Sequence, residues 1–176
     1  MAGMELDFFP TTVLRVDAIG KPGERIFYIQ GGDNERMVTL VLEKFQLQAL
    51  VVGVEQLLAE LDTRFPALAQ SEGDYSEEQM RITGAYDTFF RVGEINLGYD
   101  APADKVALTL ESIRLEDKDG LEEPDRVRFW CERAQMAALA KWARVVISEG
   151  RPTWPSDNQP IQPPDKFSPR HNGHKH

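Results

Sequence analysis

Two stretches decide how this chain folds: VTLVLEKFQLQAL at 38–50 and VRFWCERAQMAAL at 127–139. In each, a run of β-branched and apolar residues reaches Glu-x-x-Gln and then changes period from two to between three and four. With an offset of 89, Glu43 meets Glu132, Lys44 meets Arg133 and Gln46 meets Gln135. Leu47 then meets Met136, Ala49 meets Ala138 and Leu50 meets Leu139. Both stretches therefore read as a strand turning directly into a helix. The shared Glu-x-x-Gln has a mechanical reading. The first amides of a helix lack intrahelical partners, and a glutamine at the third helical position can reach back to the cap residue. A glutamate at the entry also suits the positive end of the helix dipole. A catalytic Glu/Gln pair would need two equivalent sites, so the mechanical reading is preferred.

Outward from the first stretch, Leu47, Leu50, Val51, Val54, Leu57, Leu58, Leu61 and Phe65 form one apolar stripe. Pro66 ends the helix by disfavouring the α conformation at the residue before it. Gly53, poor for helix propensity, marks a close packing contact. Upstream, 12–19, 24–30 and 37–42 are strand-like runs separated by GKPG at 20–23 and GGDN at 31–34, both strong turn chemistry. Outward from the second stretch, 89–99, 105–115 and 126–131 read as strands. A helix at 132–149 follows, its stripe being Met136, Leu139, Ala140, Ala143, Val146 and Ile147, with Gly150 placed to cap it. RVDAI at 15–19 resembles RVGEI at 91–95 with an offset of 76, the difference being assigned to longer turns in the second half.

The expected fold is α+β. It consists of two related strand-strand-strand-helix units, about 8–66 and 89–150, with an antiparallel sheet, inside a body of 1–150. The polar, acidic segment 67–87 between them reads as a mobile connection, with one possible helical turn beginning at Ser76-Glu77-Glu78-Gln79. A proline-rich arm, 151–176, extends from the end.

The bulk numbers narrow the class. The chain has 176 residues, 41% hydrophobic and 28% charged, which suits one soluble domain plus an appendage. Net charge is −9. The arm carries four basic and two acidic residues, a balance of +2, so the body carries −11. An acidic body argues against nucleic acid and against anionic membranes as partners. One cysteine, Cys131, excludes an internal disulfide. No signal pattern opens the chain, and no apolar run approaches the roughly 18 residues of a membrane span. These features predict a cytoplasmic protein.

Familiar chemistry is missing. Neither GxxxxGK[ST], nor a GxGxxG between strand and helix, nor GxSxG is present. All three histidines lie in the arm, so the body alone cannot form a Ser-His-Asp or Cys-His site. LEDKDGLEEPDR at 115–126 fails as an EF-hand loop, because Leu115 and Arg126 fall where oxygen ligands are needed. Carboxylates are plentiful, but no spacing selects an acid/base pair. Cys131 is in phase with Val127 and Phe129 and reads as core. Trp130 and Trp142 lie off the main apolar patterns. Each is read as packing against the other unit in preference to marking a partner surface.

FFRVGEINLGYD, VTLVLEKFQLQAL and the closing RP…PRxNGH together resemble a bacterial conserved-hypothetical family known only as a domain of unknown function. In that family the tail reads Arg-Pro-x-Cys-Pro-x-Cys-Gly-x-Pro-(Ile/Leu)-Asp-Pro-x-Gly-His-x-Cys-Pro-Arg-x-Asn-Gly, which looks like a zinc knuckle of three thiolates and one imidazole. This chain keeps the framework, with Arg151, Pro152, Pro155, Pro160, Ile161, Pro163, Pro169, Arg170, Asn172 and Gly173. The four ligand positions hold Trp154, Asp157, Lys166 and Ser168. The resemblance thus implies a degenerate knuckle with its zinc lost, so no cofactor is expected. His171, His174 and His176 lie outside that ligand set and suggest adventitious metal binding at most.

The leading expectation is a non-catalytic interaction or regulatory module with Arg151, Trp154, Arg170 and Asn172 as binding residues. Its partner would be an unidentified protein. Family members are often encoded near histidine-phosphatase-like and phosphoinositide-kinase-like proteins, which the resemblance offers as candidates. One alternative is an enzyme working in a cleft between the units on a phosphorylated or other small substrate, with Arg170 as anion clamp. Another is a metal-binding protein using the terminal histidines.

Overall fold

The computed structural model describes residues 3–83, 87–114, 116–117 and 120–149. In chain order these form β1 (Glu5–Phe8), β2 (Val13–Ile19), β3 (Ile26–Gly32), β4 (Met37–Leu42), α1 (Lys44–Arg64) and α2 (Glu77–Met80). There follow β5 (Thr88–Asp100), β6 (Lys105–Ser112), β7 (Glu116–Asp117), β8 (Gly120–Leu121), β9 (Arg126–Cys131) and α3 (Arg133–Glu149). The fold is α+β. Seven strands make one sheet in the order β1-β9-β6-β5-β4-β3-β2, and β7 and β8 form a separate two-stranded ribbon.

The sheet is mixed, where an antiparallel one was expected. The turns at 20–25 and 33–36 are short, so β2–β3 and β3–β4 are antiparallel, as are β5–β6 and β6–β9. A helix lies between β4 and β5, however, and a helical crossover returns the chain in the same direction. β4–β5 is therefore parallel, and so is β1–β9. Strand propensity and alternation carry no sign of direction, which is why the sequence reading missed it.

The two edges of the sheet, β1 and β2, are consecutive in the chain and run the same way. Phe9–Thr12 joins them: the Thr11 N–H donates to Trp130 O at 2.9 Å and the Thr12 N–H to Gly32 O at 2.9 Å. The sheet thus curls round until β9 and β2 nearly meet. Phe129 of β9 reaches inward to Gly31 of β3, where a Cβ would stand 2.8 Å from its ring. Val16, Ile29, Leu40, Leu108, Leu110, Val127 and Phe129 fill the interior with no exposed surface.

The order strand-strand-strand-helix occurs twice, as β2-β3-β4-α1 and β5-β6-β9-α3, but the pairing of halves differs from the expected one. Arg15 of RVDAI pairs with Gln30 of β3, whereas Arg91 of RVGEI pairs with Val41 of β4. The offset of 76 is therefore a chance likeness. Register sets Val16 opposite Ile29 and Ile29 opposite Leu40; in the other half Leu97 faces Leu108 and Leu108 faces Phe129. Val16 thus matches Leu97. The beginning of β5 pairs in parallel with β4 as β1 does with β9, and the rest pairs with β6 as β2 does with β3. β5 is one long strand, bulged between Val92 and Glu94, where the first half uses β1 and β2. α2 and the β7–β8 ribbon have no counterpart.

α1 and α3 pack side by side. Their buried stripes, including Leu47, Leu50, Val54, Leu58 and Leu61 on one and Met136, Leu139, Ala143 and Val146 on the other, belong to the single core. Glu55 and Arg144, 89 residues apart and so at matching positions, form an ion pair between the helices with Nε–Oε2 at 2.8 Å. That guanidinium holds the Glu55 carboxyl below the usual range.

Candidate functional site

Arg151, Trp154, Arg170 and Asn172, the expected binding residues, lie outside the described residues, as do Asp157, Lys166 and Ser168, which the resemblance sets at ligand positions, and the three histidines. Among the described residues no group of three or more His, Cys, Asp or Glu side chains could hold a metal ion. No described helix is long and apolar enough to cross a membrane. Cys131 has no exposed surface, and burial pushes its thiol up to about 12. At neutral pH it is protonated and sheltered, the opposite of a reactive nucleophile.

Glu-x-x-Gln does more than cap. Glu43 N–H donates to Gln46 Oε1 at 2.7 Å, and Glu132 N–H to Gln135 Oε1 at 2.7 Å. The other end of each amide crosses to the opposite half. Gln46 Nε2 donates to Val92 O at 3.0 Å, and Gln135 Nε2 to Thr11 O at 2.8 Å. Val92 O sits at the bulge of β5, and Thr11 O in the link between β1 and β2. The motif is a structural clasp.

The informative difference lies on the outer flanks of the two helices. On α3 the flank is covered by the chain that follows α1. Arg133, with a side chain only 10% exposed, is bound by Asp104 (Nε–Oδ1 2.8 Å) and donates to Ser71 Oγ at 3.0 Å. This guanidinium holds the Asp104 carboxyl below its ordinary value. Gly73 lies so close to the first turn of α3 that a Cβ would stand 2.0 Å from Ala134 O. Asp74 pairs with Lys141 at 3.3 Å, and Tyr75 packs its ring 5.2 Å from Trp142. Trp142, fully buried, donates from Nε1 to Val16 O at 2.6 Å. α2, the helical turn suggested by Ser76-Glu77-Glu78-Gln79, carries the segment to Met80. Arg81 then sits 4.7 Å over the Trp142 ring and binds Asp17 Oδ1 at 3.0 Å and Glu149 Oε2 at 2.9 Å. The connection expected to be mobile is tied to α3 and β2 at Ser71, Gly73, Tyr75, Met80, Arg81 and Ile82, with most of its other described side chains exposed.

Beside this cover is a half-open cavity of about 510 Å³. Residues 12–15 form one wall and Ala134, Gln135 and Ala138 of α3 a second, with 73–76, Gln79 and Met80 as roof.

On α1 the matching positions are bare among the described residues. Where α3 has Ala134, Ala138 and Lys141, α1 has Phe45, Ala49 and Val52; Phe45 is 67% exposed and Val52 48%. Ala138 is buried, whereas Ala49 is exposed. Gly53 stands where α3 has Trp142, and a Cβ there would lie 3.2 Å from Leu97 Cδ1. Gly53 does mark a close contact, and Trp142 does pack on the other half, as the sequence suggested. Phe45 went unnoticed although it had a signal, being a large apolar residue out of phase with the stripe that starts at Leu47. Arg15 gave none, since charged residues are ordinary on an alternating strand.

The family model for a protein of unknown function, DUF3090, matches residues 6–168, nearly the whole chain. The chain belongs to that family. No curated protein and no solved structure matches. The DUF3090 match runs through both halves of the body and into the arm as far as Ser168.

Proposed function

We propose that this DUF3090 protein is a non-catalytic interaction module that presents the α1 flank to a separate protein. The observation that supports this is the contrast between the flanks. Residues 71–81 reach over the α3 flank and bury Ala138, with Ala134 and Lys141 left exposed, while Phe45, Ala49 and Val52 are all exposed at the matching positions of α1. An exposed aromatic in an uncharged patch is the usual centre of an interface, and charged residues form its rim. The rim carries both signs: Glu43 pairs with Arg91, Glu60 pairs with Arg64, and Glu94 is exposed. The matching partner carries apolar residues at the centre of its face and polar residues of both signs around them. A second copy of this chain, at net charge −9, is a poor match. The arm's four former ligand positions hold Trp154, Asp157, Lys166 and Ser168, so this reading includes no zinc.

The histidine-phosphatase-like and phosphoinositide-kinase-like proteins are the partners to try. Purified full-length chain is mixed with each and association followed by light scattering. The expected result is a complex with at least one, weakened about tenfold or more by Phe45→Asp, as for loss of a central anchor. Absence of any complex, or an unchanged one with Phe45→Asp, would count against the α1 flank. Binding seen only after removal of 151–176 would make the arm the resident of that flank.

A further inference from the structure

We propose that the cavity between residues 12–15, the first turns of α3 and residues 73–80 is a binding site for a small molecule bearing a carboxylate or phosphate, with Arg15 as its anion contact. The inference is independent of the α1 flank and rests on the state of Arg15. Every other arginine among the described residues has a hydrogen bond or ion pair within the protein. Arg25 donates to Ala18 O and Arg36 to Asp7 O; Arg64, Arg81, Arg91, Arg114, Arg126, Arg128, Arg133 and Arg144 each meet a carboxylate. Arg15 has neither among the described residues, and its Nε is shut off from solvent without an acceptor. A guanidinium is permanently charged and presents only donors. With Nε enclosed and lacking an acceptor, the group is satisfied only through the rest of its guanidinium, where that meets water or a ligand.

The surroundings leave that place to a ligand. Among the described residues, two charged ones, Arg15 and Asp74, line the cavity. Asp74 is already paired with Lys141 at 3.3 Å. Asp17, two residues further along β2, is taken by Arg81 at 3.0 Å and by the N–H groups of Ala18 at 2.8 Å and Ile82 at 3.0 Å. Among the described residues, no carboxylate lining this cavity is therefore left to pair with Arg15. Ser76 and Gln79 in the roof and Gln135 in the wall supply neutral polar groups beside it, with Leu14 and Ala138 as apolar surface. A volume of about 510 Å³ is that of a small-molecule pocket. Its roof is fastened at Gly73, Tyr75 and Arg81, so the cavity is formed before any ligand arrives.

The test uses the full chain with two probes, inorganic phosphate and acetate, each titrated at constant ionic strength against sodium chloride as control. The Nε–H of Arg15, sheltered from exchange by its burial, is followed by ¹⁵N NMR and assigned by its disappearance in Arg15→Gln. The expected result is a saturable shift of that signal with phosphate or acetate and not with chloride. A stronger response to phosphate would indicate a phosphorylated ligand, and to acetate a carboxylic acid. Arg15→Gln should weaken the accompanying thermal stabilisation about tenfold or more, as for loss of a charge-assisted contact. An Arg15 signal that neither probe moves, or equal stabilisation of Arg15→Gln, overturns the proposal. The NMR readout on the unaltered chain decides it even where the variant fails to fold.

Discussion

α1 and α3 enter from the same kind of strand through the same Glu-x-x-Gln clasp, yet their outer flanks have opposite fates. The α3 flank is roofed by residues 69–81, anchored on Trp142 and Arg133. The α1 flank keeps Phe45 and Val52 in solvent and has glycine where α3 has tryptophan. The clasp fixes how a helix meets the sheet, while residues one turn further along decide whether its flank is used internally or left open. A repeated architecture thus yields one closed side with a cavity and one open side with a surface.

The largest expected effect is on the closed side. Trp142→Ala removes a fully buried indole, its hydrogen bond to Val16 O and its contacts with Tyr75 and Arg81. A loss of about 3–5 kcal/mol is expected in urea denaturation, typical of a large aromatic truncated in a core. Phe45→Ala on the open side should change stability by no more than about 0.5 kcal/mol. Comparable losses from the two variants would show that the α1 flank is also covered, and the contrast would collapse.

A medium effect tests what the halves share. Gln46→Ala and Gln135→Ala each remove a bond to the cap residue and a bond to a bend in the other half. Each should cost about 1–2 kcal/mol, within the range for a lost cap. Equal costs would support equivalent clasps. A clearly larger cost for Gln135→Ala would mean that its clasp also supports the cavity wall it lines.

The sequence carried much of this because the decisive elements are local. A change of period at Glu43 and Glu132 marks both strand-to-helix junctions, and turn residues mark the hairpins. Direction and register are not local. The parallel pairing of β4 with β5 follows from the crossover, and the counterpart of Val16 in the other half is Leu97, which no string comparison around RVDAI could have shown. The site was less legible still. Phe45 stands out only once the facing surface is known to be empty. The significance of Arg15 lies in what its neighbours already hold: Asp74 is bound by Lys141 and Asp17 by Arg81, both contacts between residues more than 60 apart.

The smallest effect is the sharpest probe of the glycine–tryptophan difference. Gly53→Ala improves helix propensity by up to about 1 kcal/mol. Against this, the new methyl would stand 3.2 Å from Leu97 Cδ1, tighter than ordinary contact. Leu97 is only partly buried and meets the methyl with the end of its side chain, so a small rotation relieves the contact. The expected outcome is a slight stabilisation, below about 1 kcal/mol, read as a higher urea midpoint with unchanged slope. Loss of more than about 1 kcal/mol would instead place Leu97 against a surface as rigid as the one around Trp142. The bare flank of α1 would then be a preorganised face, held by close contact between α1 and β5, and Gly53 would be as necessary to the open side as Trp142 is to the closed one.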